Sequence, residues 1–215
     1  MKINTILFDL DGTITDSLPL IRHTYFSVFQ EMGIPWGDDD VMKLIGLPLR
    51  EIGQIMAGAG KEDEFFNTYQ KHYRNNHDKV MSLFPGTQEI LNELREGGYV
   101  LGIVTSKSRY GSDMTLSLLD ISDFFDVVIT ADDCEKHKPN PDPVLVALKK
   151  LRKANKQTVY IGDSPFDIEA GNRAGVTTIA VTWGMADKAE LLKHAPNVII
   201  NSWGELTEWL AIQNK

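Results

Sequence analysis

The chain has 215 residues, of which 42% are hydrophobic and 24% charged, and this composition suits one large globular domain or a core domain with a smaller inserted one. A formal net charge of −8 argues against a nucleic-acid-binding protein, which needs a basic face for the phosphate backbone. Cys134 is the single cysteine, which excludes a disulfide framework and a cysteine-based metal site. A small anionic substrate remains compatible with an acidic protein, because a local site can be positive.

The sequence shows no targeting or membrane-spanning signal. It begins without the basic, apolar and small-residue regions of a signal peptide, and it has no run of about 18 uncharged apolar residues. We therefore expect a soluble cytoplasmic protein with no membrane partner.

Short runs rich in Val and Ile, each followed by a helical pattern, predict the strands. These runs are Ile3–Phe8, Val100–Thr105, Val127–Thr130, Val159–Ile161, Thr178–Val181 and Val198–Ile200. Continuous apolar runs are typical of strands covered on both faces. Strands that alternate with helices predict an α/β fold, with a doubly wound, Rossmann-like parallel sheet and right-handed crossovers.

One connection is too long for a simple crossover. About ninety residues separate the first strand from the strand at Val100, where about a dozen would suffice. Helical patterns fill this segment at Leu18–Met32, Asp39–Ile45, Pro48–Ala57 and Lys61–Asn76. We expect a helical cap domain at residues 15–82, inserted into a core of residues 1–14 and 83–215. A helical bundle packed away from the strand ends is the alternative.

The first predicted strand ends in two aspartates and a glycine, Asp9, Asp11 and Gly12. Open α/β sheets bind ligands at the carboxyl ends of their strands. Close like charges are costly unless a cation lies between them. An Asx-turn would explain the same residues without any chemistry. We interpret the pattern as a magnesium-dependent site in which an aspartate is the nucleophile.

The second and third strands are followed by residues suited to binding an anion. Thr105 and Ser106 offer a hydroxyl and a backbone amide at the start of a helix, although such residues also serve as plain helix caps. Lys138 lies in a loop stiffened by Pro139 and Pro141. It could balance an aspartate and a phosphate, or it could be a solvated surface lysine.

The fourth strand ends at Asp163, which adds another carboxylate to the same edge of the sheet. Asp167 follows in the first turn of the next helix, where its spacing from Ser164 matches a capping box. All these signals fall at the carboxyl ends of strands in one predicted sheet.

Together the motifs resemble the haloacid dehalogenase superfamily of phosphatases with an aspartate nucleophile. The matching segments are Asp9–Thr13, Val104–Ser106, Lys138–Pro141 and Gly162–Asp167. The resemblance covers nearly the whole chain, including the helical segment, which is similar to a C1-type cap. Within the superfamily the chain looks like the phosphoglycolate phosphatase and pyrophosphatase-like branch.

This resemblance implies a two-step reaction. Asp9 attacks phosphorus and forms an aspartyl-phosphate, while Asp11 acts as general acid and then as general base. The cofactor implied is Mg²⁺, held by the carboxylates of Asp9 and Asp163 and by the backbone carbonyl of Asp11.

The remaining motif residues are implied to bind the phosphoryl group and balance charge. Thr105 and the amide of Ser106 hold the phosphoryl oxygens, and Lys138 neutralises charge beside the nucleophile. Asp167 is expected to orient Lys138 or a water on the metal.

The cap is expected to set specificity for a small phosphorylated metabolite. Its basic candidates are Arg22, His23, Lys43 and Arg50. Arg50 is preferred, since a guanidinium binds carboxylate or phosphate bidentately, but an ordinary exposed helix arginine is an equal alternative. Phosphoglycolate, pyrophosphate and sugar phosphates all remain candidate substrates, and a monomer and a homodimer remain equally open.

Other functions are disfavoured by particular residues. A dehalogenase of this superfamily needs neither magnesium nor an acid at Asp11, and a non-enzymatic phosphate-binding relative would have lost a residue such as Lys138. A phosphomutase would share every core motif. A P-loop is excluded, because Ile55 and Glu62 occupy the positions that need a glycine and a hydroxyl.

Overall fold

The computed structural model describes residues 2–38 and 40–215, apart from the side chain of Lys79. Its strands are β1 (Thr5–Phe8), β2 (Val100–Val104), β3 (Val127–Ile129), β4 (Thr158–Gly162), β5 (Thr177–Val181) and β6 (Val198–Ile200). Across the described residues they form one six-stranded sheet in the order β3-β2-β1-β4-β5-β6. Every neighbouring pair in it is parallel. The predicted α/β doubly wound fold is confirmed.

The helices follow the strands as expected. They are α1 (Leu18–Met32), α2 (Leu49–Ala57), α3 (Glu62–Val80), α4 (Thr87–Glu96), α5 (Arg109–Leu118), α6 (Asp142–Leu151), α7 (Pro165–Ala174), α8 (Lys188–Lys193) and α9 (Trp203–Gln213). The helical pattern from Asp39 to Ile45 corresponds to a short 3₁₀ helix at Asp40–Leu44, and Asp39 lies outside the described residues. Within the described chain, no helix combines the length and apolarity needed to cross a bilayer.

The sheet is covered on both faces. Successive residues of a strand point to opposite faces, so β1 places Ile6 and Phe8 in one hydrophobic cluster and Leu7 in another. Leu7 packs in a cluster that includes Tyr160 from β4 and Val144 from α6. This double burial explains why the strands read as unbroken apolar runs.

A helical insertion (residues 18–81) lies between β1 and α4 and contains α1, α2 and α3. It has a hydrophobic cluster of its own, in which α3 packs against both α1 and α2. Aromatic rings form much of this cluster. The ring centroids of Tyr25 and Tyr69 are 4.9 Å apart, and those of Phe29 and Phe65 are 6.2 Å apart.

The two connections to the helical insertion run side by side. The amide of Asp16 donates to the carbonyl of Ser82 at 2.9 Å, and the amide of Phe84 donates to the carbonyl of Ile14 at 3.2 Å. The chain therefore leaves and re-enters the sheet domain at one place, shortly after the end of β1.

Candidate active site

The sheet order brings the strand-end residues together. Asp9 follows β1, Thr105 follows β2 and Asp163 follows β4, and these strands are neighbours in the sheet. All three residues line one cavity of about 450 Å³, together with Asp11 and Lys138. The opposite wall of this cavity comes from the helical insertion. Residues that are far apart in sequence thus face a common space.

Lys138 reaches into the base of the cavity and bridges two carboxylates. Its Nζ donates to Oδ1 of Asp9 at 2.8 Å and to Oδ1 of Asp167 at 2.6 Å, and all three side chains are buried. Burial would lower the pKa of Lys138, but the charges of Asp167 and Asp9 outweigh burial and raise it above its ordinary value. Lys138 is therefore a permanently charged neighbour of Asp9.

Asp167 is anchored on both of its oxygens. Oδ1 accepts from the hydroxyl of Tyr160 at 2.9 Å as well as from Lys138, and Oδ2 accepts from the amide of Ser164 at 3.1 Å and from its hydroxyl at 2.5 Å. The contact from the Ser164 amide, together with the Asp167 amide that donates to Oγ of Ser164 at 3.4 Å, forms the capping box predicted for α7. A Cβ at Gly162 would overlap the Asp167 side chain, so the glycine makes room for it. Asp167 thus caps α7 and also accepts a hydrogen bond from Lys138.

Two loops close around Asp163. Its Oδ2 accepts from the amide of Met185 at 2.8 Å, and its Oδ1 accepts from the hydroxyl of Thr13 at 3.3 Å. A Cβ at Gly12, where φ is +87°, or at Gly184 would overlap the Asp163 carboxylate. The loop after β5 was not anticipated from the sequence, since it carries no charged motif.

The carboxylates of Asp9, Asp163 and Asp167 form a cluster whose ligand atoms lie within 4.8 Å of one another. Burial raises the pKa of Asp9 well above its usual range although Lys138 lowers it, and burial with the charge of Asp167 raises the pKa of Asp163 to about 7. The ammonium of Lys138 balances one of the three charges. The cluster is short of positive charge, and its hard oxygen ligands fit a divalent cation such as Mg²⁺.

Asp11 has a different cationic partner. Both of its carboxylate oxygens accept from Nζ of Lys107 at 2.9 Å, and the same ammonium donates to the hydroxyl of Tyr73 on α3 at 2.7 Å. Burial would lower the pKa of Lys107, but the charge of Asp11 outweighs it and raises that pKa. The sequence analysis missed Lys107, although its place directly after Ser106 at a strand end was an available signal.

The loop after β2 joins the sheet to the helical insertion. Thr105 is buried, and its Oγ1 accepts from the amide of Lys107 at 3.2 Å. The hydroxyl of Ser106 donates to the carbonyl of Gly46 at 2.5 Å. The structure places both predicted phosphate-binding residues at the cavity, and their role in binding phosphate stays a prediction.

Arg50 lines the cavity but has partners within the helical insertion. Its guanidinium pairs with Asp63 and lies 4.4 Å from the centroid of the Phe66 ring, with about half of the side chain exposed. Lys43, another sequence candidate, is exposed and pairs with Asp40 at 2.7 Å. A substrate contact by Arg50 stays a prediction.

Comparison with known proteins agrees with this geometry. The sequence profile of the haloacid dehalogenase-like hydrolases matches residues 6–181. The chain belongs to this family. It is 37% identical over 200 residues to the pyrophosphatase PpaX of Oceanobacillus iheyensis, covering 93% of each chain. It is 34% identical over 207 residues to the PpaX of Bacillus mycoides, covering 96% of each.

A solved structure supports the same assignment. A haloacid dehalogenase-like hydrolase of Streptococcus pneumoniae is 29% identical and superposes with a TM-score of 0.84, covering 96% of this chain and 98% of that one. Membership confirms the predicted superfamily and the predicted enzyme class, a phosphatase of the haloacid dehalogenase type.

Proposed function

We propose that this enzyme is a Mg²⁺-dependent phosphatase that hydrolyses a small phosphorylated metabolite through an aspartyl-phosphate on Asp9. The observation that carries the proposal is the convergence of Asp9, Asp163 and Lys138 at one edge of the sheet, inside a cavity. Three buried carboxylates with one ammonium favour a divalent cation, and the cation favours an anionic substrate.

The chemistry follows from the partners of Asp9. Lys138 bonds Oδ1 of Asp9, which leaves Oδ2 for attack on phosphorus. As the bond from Asp9 to phosphorus forms, the bond from phosphorus to the leaving oxygen breaks, and Asp11 donates a proton to that oxygen. Asp11 then takes a proton from the water that attacks the aspartyl-phosphate, so the second step releases phosphate and restores both aspartates.

The site supplies electrostatic stabilisation for this transfer. When bound by the carboxylates of Asp9 and Asp163 and the carbonyl of Asp11, Mg²⁺ would neutralise the charge between the nucleophile and the phosphoryl oxygens. Thr105 and the amide of Ser106 would bind the phosphoryl oxygens. Such positioning is most of what phosphoryl transfer requires.

The helical insertion is proposed to act as a cap. Residues 15–82 would cover a core formed by residues 1–14 and 83–215. Residues of the insertion form the wall of the cavity that faces Asp9. The carbonyl of Gly46 accepts a hydrogen bond from the hydroxyl of Ser106, in the loop after β2. A cap in this place excludes water and protein side chains, which favours a small-molecule substrate.

A phosphoglycolate-like compound is the primary substrate proposed, and inorganic pyrophosphate is a second candidate. The relatives at 34–37% identity are named pyrophosphatases, which is the reason to test pyrophosphate beside a phosphoglycolate-like compound. Both compounds combine a transferable phosphoryl group with a small anionic remainder.

The proposal is tested by phosphate release from p-nitrophenyl phosphate with MgCl₂. Asp9→Asn should reduce turnover by about a thousandfold or more, because the amide cannot replace the nucleophile. Chelator should abolish turnover, and added Mg²⁺ should restore it. Asp123→Asn, at an exposed position on a 3₁₀ helix, is the matched control and should retain full activity. Undiminished turnover by the Asp9→Asn enzyme would refute the proposal.

A further inference from the structure

Lys107 is a buried cation that the proposed reaction does not use. Its side chain is 11% exposed, and its ammonium lies 2.9 Å from both oxygens of Asp11 and 2.7 Å from the hydroxyl of Tyr73. The ammonium also lies 4.8 Å from the centroid of the Tyr73 ring. Asp11 follows β1 and Tyr73 lies on α3 of the helical insertion, so the ammonium of Lys107 is held by both the sheet and the insertion.

Tyr73, which contacts this charge, belongs to a row of three packed tyrosines. Tyr69 and Tyr73 stack with centroids 5.7 Å apart, Tyr25 packs against Tyr69, and all three line the cavity. Burial, with the added charge of Asp11, raises the pKa of Tyr25 and Tyr69. These phenols therefore keep their protons, so the row adds no negative charge beside Lys107.

The two lysines of the cavity differ in how fully their charge is balanced. Lys138 contacts the two carboxylates of Asp9 and Asp167, whereas Lys107 contacts one carboxylate and a neutral hydroxyl. The charge of Lys138 is therefore taken up by Asp9, the proposed nucleophile, and by Asp167. Lys107 adjoins Asp11, the group assigned to the leaving oxygen, so a leaving group that meets Asp11 also comes within reach of Lys107.

We propose that Lys107, held in place by Tyr73, is a specificity residue that binds a second anionic group of the substrate. This inference rests on the proposed function and narrows it. The substrate class is a short phosphorylated compound with a carboxylate or a second phosphate close to the leaving oxygen. A substrate with a neutral alcohol or a sugar hydroxyl at that position cannot form the charge-assisted hydrogen bond between an anion and the ammonium of Lys107.

The test compares two competitors that differ only in the second group. Phosphoglycolate carries a carboxylate where 2-hydroxyethyl phosphate carries a hydroxymethyl group. Each inhibits Mg²⁺-dependent turnover of p-nitrophenyl phosphate, and the ratio of their inhibition constants measures the preference for the second anion. The wild-type enzyme should bind phosphoglycolate at least about tenfold more tightly, the effect of one charge-assisted hydrogen bond.

Two variants and one control test whether Lys107 and Tyr73 cause the preference for the anionic competitor. Lys107→Met should bring the ratio close to one, and Tyr73→Phe, which removes only the hydroxyl that holds the ammonium, should reduce it by about threefold or more. Tyr99→Phe is the matched control, because Tyr99 is not among the residues that line the cavity and its hydroxyl accepts from the side-chain amide of Asn214 at 2.7 Å. It should leave the ratio unchanged. For a variant without turnover, calorimetric titration with the same two compounds gives the ratio.

The outcomes separate the alternatives. A preference that persists in Lys107→Met, or that is absent from the wild-type enzyme, overturns the inference. So does an equal loss for both competitors, since that result means that Lys107 only positions Asp11. Turnover that survives Asp9→Asn would instead refute the proposed function itself, so the two failures remain distinguishable.

Discussion

At the scale of single residues, Asp167 shows how tightly charge and hydrogen bonding are coupled in this site. Its carboxylate accepts hydrogen bonds from Lys138 and from the amide and hydroxyl of Ser164, and it shares the single hydroxyl proton of Tyr160 with the carbonyl of Val104. Every neighbour is a donor, so the position requires a group that only accepts. An ionised carboxylate is such a group, and an amide is not.

Asp167→Asn should therefore destabilise the fold by about 3 kcal/mol. The buried amide nitrogen would have to face a donor, and the amide oxygen would be a weaker, uncharged acceptor for Lys138 or Ser164. Unfolding in urea measures the change. Asp113→Asn on α5 is the control, because the side chain of Asp113 is 61% exposed and the loss of its pair with Arg109 at 3.7 Å should cost about 0.5 kcal/mol or less. Equal costs for the two substitutions would show that Asp167 is not an anchor.

Sequence alone could place some of the site residues and not others. Asp9 and Asp163 follow strands, and parallel strands end at one edge, so their proximity follows from the fold. The contact between Lys107 and Tyr73 joins a strand end to the middle of α3, and nothing in the local pattern specifies how α3 docks. Contacts between the insertion and the sheet depend on tertiary packing, which sequence periodicity does not encode.

At the scale of elements, the loop that precedes α2 connects the helical insertion to the loops that follow β2 and β4. Its Gly46 has a φ of +110°, and a Cβ there would lie 2.6 Å from Cδ2 of Phe166 and 3.1 Å from Oγ of Ser164. The carbonyl of Gly46 also accepts a hydrogen bond from the hydroxyl of Ser106. The loop therefore fits closely onto the start of α7 and onto the loop that follows β2.

Gly46→Ala should lower kcat/KM by about tenfold or more, since the added methyl group forces the loop away from Phe166 and Ser106. Gly58→Ala is the control: its φ is +95°, yet no atom lies within 4 Å of its Cβ position. Both variants bear similar backbone strain of about 1 kcal/mol, seen in thermal unfolding, and only Gly46→Ala should impair catalysis. Equal kinetic losses would mean that the fit of this loop is unimportant.

The strands, which are covered on both faces of the sheet, are the elements whose ends were predicted most accurately. All strands lie within one or two residues of their predicted ends, because a strand covered on both faces must be apolar throughout. Helix α3 extends to Val80, beyond the predicted end at Asn76. The reason is tertiary: His77 is fully buried and its Nε2 lies 3.1 Å from Oγ1 of Thr115 on α5. A histidine in a polar stretch gives no sign of such a partner.

At the scale of the whole molecule, an acidic protein concentrates buried positive charge at one place. The chain carries a net charge of −8, yet Lys107 and Lys138 both line the cavity. Lys107 is paired with Asp11 and Lys138 with Asp9. Local charge, rather than net charge, is what an anionic substrate meets.

The same arrangement predicts that stability depends jointly on pH and Mg²⁺. In the metal-free enzyme the pKa of Asp163 rises from 3.8 to about 7. Between these pH values the folded state holds a proton that the unfolded state has lost, so stability should fall as pH rises, by up to about 1.4 kcal/mol per pH unit. A cation that binds the ionised carboxylates reverses this loss. MgCl₂ should therefore raise the melting temperature more at pH 8 than at pH 5.

Thermal unfolding at both pH values, with and without MgCl₂, measures this coupling. Asp163→Asn should reduce the fall in stability between pH 4 and 7, to which Asp9 still contributes, and should reduce the Mg²⁺-dependent shift, because the variant lacks one titrating group and one ligand charge. An equal Mg²⁺ shift at pH 5 and pH 8 in the wild-type enzyme would mean that the buried carboxylates are not where the cation binds. The excess of negative charge around Asp9 would then have to be balanced by some other group. The structural argument for a metal-dependent reaction would no longer hold.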